Sequence, residues 1–218
     1  VLDWAGYRVD REFYVNDAGN QINKFGLSLD LRYQQLYKDG IEMPEDSYHG
    51  QDIIDHARNF AAIHGDKYMH TSEEERRQAL VAYALPLNIE GLERDLAKYR
   101  IHYDRWFRES TLHADGSVMK VVELLKEKGH TYEAEGATWF RATEFGADKD
   151  FVLVRSNGVP TYVVPDIAYH YGKLVTRGYD KAIDVLGADH HGYVPRLKAA
   201  LQALGVDPDR LDVVLMQM

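Results

Sequence analysis

An α/β fold, with a parallel sheet in its C-terminal third and a long, mostly helical stretch before it, is the architecture these 218 residues predict. Three observations carry that expectation. From Ile22 to Leu125 apolar side chains recur at helical spacing, and from Tyr132 the period shortens to two. After Pro160, short apolar runs alternate with helical segments, the pattern of strands joined by crossover helices.

Taken in order, Tyr7 to Val15 mixes aromatic and Val residues with charge and stops at Asn16-Asp17-Ala18-Gly19, which predicts a strand leaving into a helix. Ile22, Phe25, Leu29 and Tyr33 mark that helix. Ile53, Ile54, Ala57, Phe60 and Ala61 mark a second, and Thr71-Ser72-Glu73-Glu74-Glu75 opens a third with acidic residues suited to its positive end. The helical block runs to about Arg108; Trp106 and Phe107 at its end, with Trp139 and Phe140 further on, are expected as core aromatics of the stretch before residue 151. Another helix spans Asp115 to Gly129, the glycine being its C-terminal stop. Tyr132 to Glu135 and Ala137 to Arg141 follow as strands. Phe151 to Arg155 and Pro160 to Val164 flank Asn157-Gly158, a hairpin signal because the pair supplies the positive backbone angles of a tight turn. The remainder reads as strand Thr161 to Val164, helix Ile167 to Thr176, strand Ala182 to Leu186, helix Tyr193 to Leu204 and strand Val213 to Met216.

Hydrophobic residues make up 45% and aromatics 11% of the chain, enough to bury a good core. The absence of cysteine excludes a disulfide scaffold, a thiolate zinc site and a cysteine nucleophile. No apolar run approaches the roughly 20 residues a spanning helix needs, and the N-terminus has neither a signal region nor an initiator Met. A cytoplasmic protein without membrane attachment, cut from a longer chain, is expected. The net charge of -9 arises wholly within residues 1–150, since residues 151–218 carry seven basic and seven acidic side chains. A broad phosphate-binding face is therefore not expected in the first two-thirds, because polyanion affinity needs clustered Lys and Arg.

The chemistry concentrates in Asp166-Ile167-Ala168-Tyr169-His170 and in Val185-Leu186-Gly187-Ala188-Asp189-His190-His191-Gly192-Tyr193. Each follows an apolar run where a helix begins, so Asp166 and Asp189 are expected at neighbouring strand ends, where open α/β folds build a ligand crevice. Singly, each has a plainer reading: Asp166 after Pro165 as a helix N-cap, Asp189 as a turn residue, Tyr162 as a packed strand residue and His170 as a satisfied helix residue.

Those two segments, with Arg11-Glu12-Phe13-Tyr14-Val15-Asn16-Asp17-Ala18-Gly19-Asn20-Gln21-Ile22, resemble arginyl-tRNA synthetase over nearly the whole chain. The resemblance implies a Rossmann-like catalytic fold of a class I synthetase, present in part and interrupted by a helical α+β insertion. Residues 1–23 would belong to the first half of that fold, 24–150 to the insertion ending in a β-hairpin, and 151–218 to the second half. It further implies arginine activation with ATP to an adenylate, then transfer to tRNA(Arg). ATP and Mg2+ would enter as a substrate complex, with no tightly bound cofactor and no resident metal, in a monomeric parent. Tyr162, Asp166 and Asp189 would recognise the arginine side chain; Gly187 and His190 would seat adenosine. Asn16, Gln21, His170 and His191 are weaker candidates. The physics agrees, since a guanidinium is a planar, permanently charged fork that carboxylates accept in bidentate fashion. Lysine would leave acceptors unpaired, and citrulline would leave the carboxylates unneutralised.

The chain departs from the family in lacking a His-X-Gly-His turn and a Lys-Met-Ser-Lys-type loop. In the family these hold the ATP phosphates and stabilise developing charge, so the chain is expected to be inactive alone. The family's N-terminal extension and helical anticodon-binding domain are also missing, and Pro165 is unexpected before Asp166. Two other classes compete. One is a metal-dependent hydrolase using Asp166, His170, Asp189, His190 and His191. The other is a non-catalytic helical interaction module built on the acidic residues 24–130.

Overall fold

Strand β1 (Glu12–Val15) ends where the Asn16-Asp17-Ala18-Gly19 turn predicts, and helix α1 (Gly19–Gln34) begins there. The computed structural model describes residues 1–217, with Asp189 described by its backbone alone. Packing divides the chain into two units, Val1–Arg108 and the residues from Glu109 onward.

In the first unit α1, α2 (Gln51–His64) and α3 (Glu73–Lys98) bury one apolar stripe each. Phe25, Leu29, Tyr33, Ile53, Ala57, Phe60, Leu80 and Ala84 form the shared core. The Tyr33 hydroxyl, buried there, donates to the carbonyl of Gly65 at 2.6 Å. Ser72 caps α3 by accepting from the Glu75 amide at 3.2 Å, at the helix start that the Thr71-Ser72-Glu73-Glu74-Glu75 run predicts. Helical periodicity extends to about Arg108, yet α3 stops at Lys98 and Arg105–Arg108 form strand β2, parallel to β1 from Glu12↔Arg105 to Val15↔Arg108. Four residues are too few to separate the two periods, and the pairing is decided by rings across the ladder. Phe13 and Trp106 lie 4.7 Å apart and Tyr14 and Phe107 6.0 Å.

The second unit opens with α4 (Glu109–Ala114) and α5 (Ser117–Glu127), the latter ended at Gly129 with φ +77°. Strands β3 (Thr131–Ala134), β4 (Ala137–Phe140) and β5 (Phe151–Val154) make an antiparallel sheet. Beyond β5, Asn157-Gly158 turns the chain with Gly158 at φ +78° and a bridge between Val154 and Pro160. The return arm is shorter than its sequence predicts. Thr161 still donates to the Leu153 carbonyl at 2.8 Å, but Val163 already begins helix α6 (Val163–Tyr171).

The expected strand Thr161 to Val164 is thus replaced by a helix start. Its β-branched residues suggest a strand, but Val163 and Val164 are buried and Pro165 occupies the first turn, where a missing N–H costs no hydrogen bond. Asp166 consequently lies in the first turn of α6 rather than at a strand end. It is not the N-cap either, a position held by Tyr162.

After α6, a π-helical segment (Gly172–Thr176) leads to β6 (Ala182–Gly187), which pairs in parallel with β7 (Leu211–Met216), with α7 (Val194–Ala203) between them in sequence. This is the strand, helix, strand order the apolar runs predict. Among the described residues, no helix is long and apolar enough to cross a membrane.

Candidate functional site

Asp166 is the centre of the second unit's polar cluster. The Tyr193 hydroxyl, at the start of α7, donates to Asp166 Oδ2. Tyr193 also stacks on Tyr162 with ring centroids 6.0 Å apart, while His190 meets it edge-on at 6.1 Å. Tyr162 is 68% exposed, so its ring and hydroxyl stand open beside Tyr193, while Asp166 is part-buried. Burial pushes the Asp166 carboxyl up from 3.8; the Tyr193 hydroxyl and the neighbouring histidines pull it back only in part.

One turn along α6, His170 is 4% exposed and occupied at both ring nitrogens. Nδ1 lies 2.7 Å from the Asp166 carbonyl oxygen and Nε2 2.6 Å from Asp184 Oδ2. A carbonyl and a carboxylate both accept, so both contacts are hydrogen bonds when each nitrogen carries its hydrogen. Lys173 donates to Asp184 Oδ1 at 3.0 Å and lies 4.2 Å from the centroid of the Tyr169 ring. Burial alone would raise the Asp184 carboxyl, but the His170 hydrogen bond and the His170 and Lys173 charges outweigh it and hold it at about 2. His170 is thus a satisfied helix residue.

Strand β6 delivers Gly187 to the head of a short 3-10 turn, Ala188–His190. Gly187 is extended (φ -65°, ψ 153°), so no positive φ demands glycine there. His190 and His191 are exposed. The Asp189 side chain, the second proposed acceptor, lies outside the described residues. Sequence reasoning took Tyr193 only as the end of its motif and did not single out Asp184 or Lys173. A signal existed for Asp184: it shares the inward parity of Ala182 and Leu186 in an otherwise apolar strand, where a carboxylate must find a partner.

In the first unit, Asn16 and Gln21 come together on a cleft of about 380 Å³ also lined by Tyr48, Asp52 and Asn88. The Tyr48 hydroxyl donates to Gln21 Oε1. Asp17 does not cap α1, a position taken by Ala18, but faces Arg108 on β2 at 3.8 Å with a side chain only 5% exposed. The turn is therefore fixed on both sides, by β1 pairing with β2 and by the helix that follows.

Among the described residues, no three His, Asp or Glu side chains converge as a metal ion would need, and both nitrogens of His170 are already engaged. The family model for tRNA synthetases class I (R), catalytic domain, matches residues 1–217. The chain belongs to the class I arginyl-tRNA synthetases. The arginine--tRNA ligase of Caldanaerobacter subterraneus subsp. tengcongensis is 61% identical over 218 residues, and that of Acetivibrio thermocellus 53% over 220; each comparison covers 100% of this chain. The chain spans 39% of the length of either relative. An arginyl-tRNA synthetase structure from Campylobacter jejuni superposes with a TM-score of 0.89 at 37% identity, covering 100% of this chain and 47% of that one. The Thermus thermophilus arginyl-tRNA synthetase, at a TM-score of 0.67 and 22% identity over 99% of this chain and 43% of that one, shares the fold. The class I catalytic fold expected from the sequence is thereby established, and neither the hydrolase nor the helical-module reading is favoured.

Proposed function

We propose that this chain supplies the arginine-selecting part of an enzyme that activates arginine with ATP and esterifies the product to tRNA(Arg) in the cytoplasm. The observation that carries the reading is the Asp166 carboxylate, part-buried and desolvated, hydrogen-bonded by the Tyr193 hydroxyl, and with no Lys or Arg side chain within salt-bridge range among the described residues. Burying a carboxylate is costly, and an arginine guanidinium would offset that cost with two parallel hydrogen bonds. Tyr162 would close over the guanidinium plane, and Asp189 is the second acceptor. Gly187 and His190 would sit against adenosine; Asn16 and Gln21 border a separate polar cleft, and His191 is the weakest candidate.

In the reaction, the arginine carboxylate would attack the α-phosphate of ATP in line, forming arginyl-adenylate and releasing pyrophosphate. The terminal hydroxyl of the tRNA would then displace AMP. Positioning and charge stabilisation drive such a transfer, without a covalent protein nucleophile. Magnesium would arrive with ATP, and the residues described in this chain would bind and orient arginine.

The test is a titration with L-arginine, with lysine and citrulline as controls, following the amide shifts of Tyr162, Asp166 and Asp189. Shifts with arginine alone, lost in Asp189→Asn, are expected. Equal responses to all three ligands, or no response at millimolar arginine, would remove the proposal.

A further inference from the structure

Asp184, His170 and Lys173 adjoin the proposed arginine site through the backbone of Asp166, and they tie together the two elements that carry it. His170 is on α6 one turn after Asp166 and holds that residue's carbonyl oxygen at 2.7 Å. Its other nitrogen holds Asp184 on β6 at 2.6 Å, and β6 ends at Gly187, where the Ala188–His190 turn begins. Lys173 closes the far oxygen of Asp184 at 3.0 Å from the π-helical segment. That segment is itself anchored, because Arg210 Nη2 donates to the Leu174 and Tyr179 carbonyls at 2.9 and 2.6 Å. The four groups therefore span from α6 to β6 with every described contact between opposite or complementary partners. The side chains of His170, Lys173 and Asp184 are 5%, 12% and 12% exposed.

A buried ion pair is a poor source of net stability, since a well-packed apolar replacement often does as well; its distinctive property is a fixed geometry. Here the fixed quantity is the separation of the Asp166 turn of α6 from the Gly187 end of β6. We infer that Asp184, His170 and Lys173 are positioning residues that set the spacing between the two carboxylate-bearing segments and so tune selection of a guanidinium over an ammonium. This rests on the arginine-site reading above. A guanidinium bracketed by two acceptors tolerates little misplacement, whereas a single ammonium contact is more forgiving.

Wild-type chain is titrated first with L-arginine by amide shifts; silence there removes the arginine site itself and this role with it. Given a wild-type response, Asp184→Asn is expected to weaken arginine by about tenfold, with lysine changing far less, so that discrimination narrows. The ligand-free amide shifts of Asp166 and Gly187 should both move in the variant. Lys173→Met should show a smaller version of the same pattern, and Lys173→Arg should restore it, which a general loss of stability would not do. Lys173 lies at the outer end of the cluster, so this pair of variants carries the test if Asp184→Asn fails to fold. Folded variants whose arginine affinity and arginine-over-lysine ratio equal those of wild type, whatever their melting temperature, would overturn the inference.

Discussion

Tyr193 donates its hydroxyl hydrogen to Asp166 Oδ2, linking the start of α7 to the first turn of α6 across 27 residues of sequence. This bond engages one oxygen of the carboxylate, and in the proposed arginine site the other would meet the ligand. Tyr193→Phe keeps the ring that stacks on Tyr162 and removes only the donor. A hydrogen bond to a charged acceptor contributes about 1.5–3 kcal/mol, so arginine should bind roughly tenfold or more weakly in the variant. Calorimetric titration with arginine measures this directly, and an unchanged affinity would mean the bond does not serve the ligand.

Proton linkage at the same carboxyl gives a second prediction. Asp166 is raised above 3.8 in the folded chain, chiefly by burial, so it holds its proton to higher pH than an exposed carboxyl does. In the proposed site arginine would pair with the ionised form. Its affinity should therefore fall as pH drops through the raised Asp166 value, and binding in that window should release protons. For stability the sign is opposite to that of a salt-bridged carboxylate. The Asp166 contribution is present at low pH and is lost as pH rises through its folded value, whereas Asp184, held at about 2, stabilises above 3.8 and loses its contribution as pH falls toward 2. Titrations in two buffers of different ionisation enthalpy count the released protons; a proton count of zero throughout the acidic range would contradict this linkage.

Much of this could be read from residues before any coordinates. The helical stripes of α1, α2 and α5, the Ser72 cap, the Asn157-Gly158 turn and the parallel pairing of β6 with β7 each follow from a local rule. Two elements escaped. Arg105–Arg108 is a strand only because β1 lies beside it, a partner about ninety positions away that no short window contains. Val163-Val164-Pro165 looks like the end of a strand but starts a helix, because burial of both valines decides the matter and a first-turn proline is no obstacle. Asp166 was found by its motif and misplaced by its element. Tyr193 and the Asp184 cluster act through contacts between elements, which spacing along one element does not reveal.

The Asn157-Gly158 turn gives a prediction about the backbone alone. Gly158 sits at φ +78°, and a Cβ built there meets nothing within 4 Å, so the only cost of a side chain is conformational. Gly158→Ala should destabilise by about 1–2 kcal/mol, seen as a lower urea midpoint with an unchanged slope. Arginine binding to the folded variant should be unaffected. A neutral substitution would show that the turn relaxes to another type.

Asp30 in α1 makes the sharpest stability prediction, because its side chain is only 1% exposed and its charge is met by two arginines from α3. Arg76 Nη2 donates to Oδ2 at 3.2 Å, with Nε bonded to Oδ1, and Arg77 Nε reaches Oδ2 at 3.2 Å. Asp30 Oδ1 also accepts from Gln34 at 2.9 Å, so the carboxylate is saturated with donors. Arg76→Met preserves most of the buried length and removes the charge and both donors that Arg76 presents to Oδ1 and Oδ2. Breaking one side of a buried pair costs about 3–5 kcal/mol, since the remaining charge stays desolvated, and Arg77 at 34% side-chain exposure compensates only in part. The double variant Asp30→Leu with Arg76→Met removes the desolvated charge as well and should recover much of the loss. Urea unfolding of both variants decides between these cases. If the double variant were no more stable than Arg76→Met, the cost would come from lost packing between α1 and α3, with the stranded carboxylate contributing little.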